Sequence, residues 1–136
     1  MSQAKITAGT AMGANVVRGG GVTFKAWGPR AAAVYVNAKT PELLMAKDAN
    51  GYWTGYLPEA GEGFLYRFYV VGTGSEGYKR DPYARELANE AAAPFPECAA
   101  VVRSAESYPW HDAEFKTPEF GDMVVYQLHI GTYAPE

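Results

Sequence analysis

Residues 21–27 read Gly-Val-Thr-Phe-Lys-Ala-Trp, which puts Val22, Phe24 and Ala26 on one side and Thr23, Lys25 and Trp27 on the other. That two-residue period is the signature of a half-buried β-strand, and Gly28-Pro29 ends it. Residues 33–37, Ala-Val-Tyr-Val-Asn, form a second run of β-formers closed by Thr40-Pro41, and residues 43–46 predict a short third strand. Asp48-Ala-Asn-Gly51 followed by Tyr52-Trp-Thr-Gly-Tyr56 predicts a hairpin, since Asn-Gly supplies the positive φ values of a primed turn. Residues 64–71 carry the strongest pattern: Phe64, Tyr66, Phe68 and Val70 share one face and Leu65, Arg67, Tyr69 and Val71 the other, so a central strand is expected. Pro82 followed by Ala84 to Ala88 predicts one or two turns of helix within residues 81–90, and residues 98–103 read as a final strand.

After residue 103 the pattern changes. Pro109, Trp110, Pro118 and Gly121 stand among charges, the composition of a linker packed against a surface. Residues 123–130, Met-Val-Val-Tyr-Gln-Leu-His-Ile, then form a nearly continuous apolar run, as in a strand buried on both faces of a parallel sheet. It has no partner in the pattern before it.

Fifteen Gly, nine Pro and ten Tyr among 136 residues agree with many short strands joined by tight turns, and 48% apolar content suffices for one core. The net charge is −3 and the 12 Lys and Arg are scattered, which excludes the basic footprint of a nucleic-acid binder. Cys98 stands alone, so no internal disulfide forms, and it is expected as a small buried thiol. His111 and His129 lie far from it in sequence, so no zinc spacing exists, and no metal or cofactor is expected. The small, polar N-terminus is neither a signal peptide nor a membrane span; the expected setting is cytoplasmic.

Several local motifs resolve into structural roles. Asp48 and Asn50 resemble the opening of an EF-hand loop, but the Gly at its sixth position and the Glu at its twelfth are missing. Gly19-Gly-Gly21 lacks the strand and helix that flank a phosphate loop and reads as a flexible entry to the first strand. Asp81, before Pro82, is expected as a helix N-cap, and Asp112 sits in the linker, so no catalytic residue is assigned. Trp27 is expected in the core, Trp110 against the sandwich or a following domain, and Trp53 either as a cap on the sandwich or facing solvent.

The run Val124-Val-Tyr-Gln-Leu-His-Ile-Gly-Thr-Tyr133 resembles the first barrel strand of glycoside hydrolase family 13, the α-amylase family. Gly21-Val-Thr-Phe-Lys-Ala-Trp-Gly-Pro29 is similar to the opening strand of that family's N-terminal immunoglobulin-like module, carbohydrate-binding module family 48. Asn50-Gly-Tyr-Trp53, Tyr66-Arg-Phe68, Lys79-Arg-Asp-Pro-Tyr-Ala84 and Tyr108-Pro-Trp-His-Asp112 follow in the family's order, and the last two most resemble its glycogen branching members. The resemblance implies an all-β immunoglobulin-like sandwich over residues 13–103 after a flexible segment at 1–12, a linker over 104–122, and the start of a missing catalytic barrel over 123–136.

The function implied is a non-catalytic accessory domain of an enzyme acting on α-1,4-glucan, with the two catalytic carboxylates on later barrel strands. Such a domain positions its own barrel or holds glucan. Debranching and trehalose-releasing enzymes share the layout, and a free-standing immunoglobulin-like interaction module is the alternative of a different class. In glycogen-binding members a tryptophan lies in the loop after the second strand, a lysine on the long strand and a second tryptophan after it. Here that loop is Ala38-Lys39-Thr40-Pro41, Arg67 stands for the lysine and Tyr78 near the second tryptophan. Trp53, Arg67 and Tyr78 are the carbohydrate-binding candidates. Residues 124–130, without barrel neighbours, are expected to promote self-association.

Overall fold

A computed structural model of the chain describes residues 1–88, 97–105 and 109–129. Its first layer is a four-stranded antiparallel sheet in the order β1-β2-β5-β4: β1 is Gly13–Val16, β2 Val22–Trp27, β4 Ala46–Lys47 and β5 Tyr52–Leu57. The second layer holds β3 (Ala33–Val36), β7 (Phe68–Val71) and β8 (Glu76–Lys79) in the order β3-β7-β8. It continues into β6 (Leu65–Tyr66), β10 (Ala100–Val101) and β9 (Glu86–Leu87) in the order β6-β10-β9. The result is the immunoglobulin-like β-sandwich that the family resemblance implies.

Inward positions of both layers meet in one core. Val22, Phe24, Trp53 and Leu57 come from the first layer, and Val34, Val36, Tyr66, Phe68, Ala100 and Val102 from the second. Phe24 and Tyr66 pack edge to face with ring centroids 5.3 Å apart, and Tyr66 meets Phe68 in the same way at 5.7 Å. Cys98 is a buried free thiol, as its isolation implies.

The long run at 64–71 keeps its expected faces but not its continuity. It breaks at Arg67, where the chain leaves one sheet for the other. Asn37, at φ 63, brackets the break: its backbone N–H donates to the Arg67 carbonyl at 2.8 Å, and its Oδ1 accepts the Arg67 N–H at 2.8 Å. Asparagine tolerates this left-handed conformation better than most residues.

Other boundaries moved because the chain changes partners. The strand expected at 43–46 is a 3-10 turn over Pro41–Leu43, a bridge from Leu44 to Tyr35 in the second layer, and β4 pairing with β5 in the first. The helix expected within 81–90 does not form up to residue 88: Asp81 Oδ1 accepts the Tyr83 N–H at 2.8 Å, closing a tight turn, and β9 pairs with β10. Tertiary pairing overrides the local helix preference there; residues 89–90 lie outside the described residues.

The hairpin at Asp48–Gly51 exists, but Asn50 does not take a positive φ; only Gly51 does, at 84°, in a three-residue loop where a Cβ would come within 2.6 Å of the Pro29 backbone. Arg18, Gly19 and Gly20 form the β1 to β2 hairpin turn, with Gly20 N–H donating to Val17 O and Val17 N–H to Gly21 O, both at 2.9 Å, so the triple glycine joins two strands and Val22 opens the second of them. The chain start also has a place: Ser2 bridges Tyr56, beyond the end of β4, and Gln3 exchanges hydrogen bonds of 2.9 Å with Thr54.

In the linker region Trp110, Phe115 and Phe120 are exposed. Residues 123–129 are assigned to no strand, and Val124 is 97% exposed; residues 130–136, the rest of the expected barrel start, lie outside the described residues. No helix among the described residues is long and apolar enough to cross a membrane.

Candidate functional site

The outward face of β3, β7 and β8 carries three tyrosines, with Tyr78 exposed and Tyr35 and Tyr69 half-buried. Antiparallel register sets Tyr35 opposite Tyr69 and Tyr69 opposite Tyr78, so three tyrosines cross the sheet in one row. Their neighbours Val34, Val36 and Phe68 point into the core, which forces the tyrosines outward by strand alternation. Tyr69 and Tyr78 meet edge to face at 5.1 Å.

Both candidates of the long strand and its hairpin belong to this face. The Arg67 guanidinium lies 4.4 Å from the centre of the Tyr78 ring, a cation–π stack, and donates through Nη1 to the Glu97 carbonyl at 3.1 Å. Tyr78 keeps 48% of its surface exposed. With Lys79, Arg80 and Glu97 the pair lines a shallow cavity of about 320 Å³.

Beside the middle of the row, around Tyr69, stands a polar cluster that sequence reasoning did not single out. Glu76 Oε2 accepts from Lys39 Nζ at 2.6 Å, and Glu76 Oε1 accepts from the Tyr69 hydroxyl at 2.9 Å. Lys39 Nζ sits 5.9 Å above the Tyr69 ring. The hydrogen bond from Lys39, and then that from Tyr69, hold the Glu76 carboxyl below the usual carboxylate range, while Glu76 pushes both partners upward. Only the alternation that joins Tyr69 to Arg67 on one face carried a signal for this cluster.

Trp53 does not join this face. It is 4% exposed, its indole N–H donates to the Gly28 carbonyl at 2.9 Å, and Lys47 Nζ covers its ring at 5.3 Å, so no face of the ring is left for a sugar. Trp27 reverses its expectation in the opposite sense: it is 62% exposed, because its position on β2 shares the outward side with Lys25. Asp81 is buried and accepts the Tyr66 hydroxyl at 2.7 Å. No group of His, Cys, Asp and Glu able to hold a metal occurs among the described residues.

Residues 11–84, more than half of the 136, match the carbohydrate-binding module 48 family, described as the isoamylase N-terminal domain. The chain belongs to this family. The module's sequence is 34% identical over 140 residues to a 1,4-alpha-glucan branching enzyme of Clostridium perfringens, covering 90% of this chain and 20% of that protein. It is 33% identical to the branching enzyme of Corynebacterium jeikeium, covering 90% of the chain and 18% of the relative. The module thus spans about a fifth of the length of these curated relatives. Its fold matches a putative alpha amylase from Salmonella typhimurium with a TM-score of 0.71 at 22% identity, covering 92% of this chain and 20% of that one. A pullulanase solved with maltotetraose matches at a TM-score of 0.55 and 20% identity, over 70% of this chain and 14% of its own.

Proposed function

We propose that the module is the non-catalytic front of an α-1,4-glucan-acting enzyme, and that the tyrosine row of β3, β7 and β8 holds the glucan chain. Glucose rings present apolar C–H faces that stack on exposed aromatic rings, while neighbouring cations donate to their hydroxyls. The observation that carries the reading is the Arg67–Tyr78 stack, a guanidinium and a half-exposed ring held 4.4 Å apart at one end of that row. Electrophoresis of the chain through a gel containing glycogen tests it: retardation is expected, with loss of retardation in Tyr78→Ala. Unaltered migration of the wild-type chain overturns the reading.

For the parent enzyme the reading is branching, in which an α-1,4 bond is cut and rejoined as an α-1,6 branch. Its support is the name shared by the relatives at 34% and 33% identity. In that protein the module orients a catalytic barrel, and both reacting carboxylates belong to the barrel. An iodine–amylose assay of the protein that carries this chain tests the activity: a falling blue absorbance with a rise in α-1,6 linkages is expected, and release of maltose or trehalose alone overturns it. The reading includes self-association of the isolated chain through residues 124–130, where Val124, Val125 and Tyr126 are 97%, 78% and 74% exposed.

A further inference from the structure

We infer that Lys39 and Glu76 form a second contact point on this face, one that reads the vicinal secondary hydroxyls of a glucosyl unit by hydrogen bonding where Tyr78 supplies stacking. The inference rests on the glucan reading of the tyrosine row.

The two side chains are held for that task rather than left to drift. Glu76 projects from β8 on the same side as Tyr78, two residues along the strand, and its two oxygens are fixed separately, one by Lys39 at 2.6 Å and the other by the Tyr69 hydroxyl at 2.9 Å. Lys39 reaches across from the loop after β3 to lie over the Tyr69 ring. Because Tyr69 also packs against Tyr78 at 5.1 Å, the carboxylate, the ammonium and the stacking ring form one continuous surface.

An ionised carboxylate offers about four acceptor sites and an ammonium three donors. Tyr69 and Lys39 occupy about half of the acceptor capacity of Glu76, and Glu76 takes one donor of Lys39, so both groups retain capacity toward solvent. Their side chains are 44% and 48% exposed, enough for a ligand to reach. Two adjacent equatorial hydroxyls, each a donor and an acceptor, match that pairing: they donate to the carboxylate and accept from the ammonium without breaking the bond that orients it. An isolated surface ion pair contributes little stability in water, so the pair is not accounted for by its own strength.

The test uses calorimetric titration of the 136-residue chain with β-cyclodextrin and with its derivative methylated on every secondary hydroxyl. Expected for the wild type is binding of the first and an affinity for the second lower by about tenfold or more, the scale of lost hydrogen bonds to charged groups. In Glu76→Gln the two ligands should bind with similar, weakened affinity, and Lys39→Gln should move the same way. Circular dichroism and melting of both variants, at exposed positions, establish that they are folded. If Glu76→Gln still discriminates like the wild type while Tyr78→Ala loses binding, this inference fails and the glucan reading stands. If the wild type binds neither cyclodextrin nor glycogen, both fail.

Discussion

The Tyr66 hydroxyl donates to Asp81 Oδ2 at 2.7 Å inside the sandwich, where Tyr66 is 1% and Asp81 4% exposed. The other carboxylate oxygen accepts the Tyr83 N–H at 2.8 Å, so a single side chain fastens the turn before β9 to the central aromatic cluster. A buried hydrogen bond to a charged group is strong, and losing its donor leaves the carboxylate under-satisfied. Tyr66→Phe should therefore lower unfolding stability by about 1–3 kcal/mol, read from urea denaturation.

The same pair sets an alkaline limit. Burial, and then the bond to Asp81, push the Tyr66 hydroxyl well above the ordinary tyrosine range. Its folded value exceeds its unfolded one, so the contribution is fully present below about pH 10 and is lost as pH rises above it, because the unfolded chain releases the proton first. Stability should fall as pH rises above about 10, and fall less steeply in Tyr66→Phe. Parallel slopes in the two proteins would refute the assignment.

Trp53 separates packing from recognition. Trp53→Ala removes a buried indole and should cost about 3–5 kcal/mol. Trp53→Phe should melt lower than the wild type yet, once folded, be retarded by glycogen to the same extent. A loss of retardation in folded Trp53→Phe would return this residue to the binding set.

Gly21 and Gly19 both hold positive φ, at 81° and 93°, but only Gly21 faces a neighbour: a Cβ there would lie 2.4 Å from the Tyr56 ring. Gly19→Ala should cost about 1–3 kcal/mol of backbone strain, and Gly21→Ala more, as measured by thermal melting. Equal costs would mean that Tyr56 moves aside freely.

Removing the residues after Asp122 should abolish the self-association of the chain in light scattering, because the exposed apolar side chains of 124–126 go with them. Equal monomeric masses for both versions would count against it.

Alternation was the most legible signal. It assigned the faces of 64–71 correctly and set Trp27 beside Thr23 and Lys25, and the error at Trp27 came from weighing residue type above position. What the pattern could not carry was partner choice. Residues 41–47 serve first β3 and then β5, and residues 86–87 become a strand because 100–101 lie beside them. β1 went unseen, since four residues reading Gly-Ala-Asn-Val have no period of their own and owe their conformation to β2. Arg67 and Tyr78 became candidates through the family resemblance, whereas Lys39 and Glu76 stand 37 residues apart and meet only once β3 and β8 flank β7.

The corner at Arg67 engages that residue only through its main chain: Asn37 satisfies the N–H and the carbonyl of residue 67, and its Nδ2 donates to Leu65 O at 3.0 Å. Nothing in that bracket depends on which side chain residue 67 carries. Under the proposed glucan reading, the group shown to a ligand at residue 67 can therefore be exchanged for lysine or glutamine at the loss of its Glu97 and Tyr78 contacts but not of the corner itself.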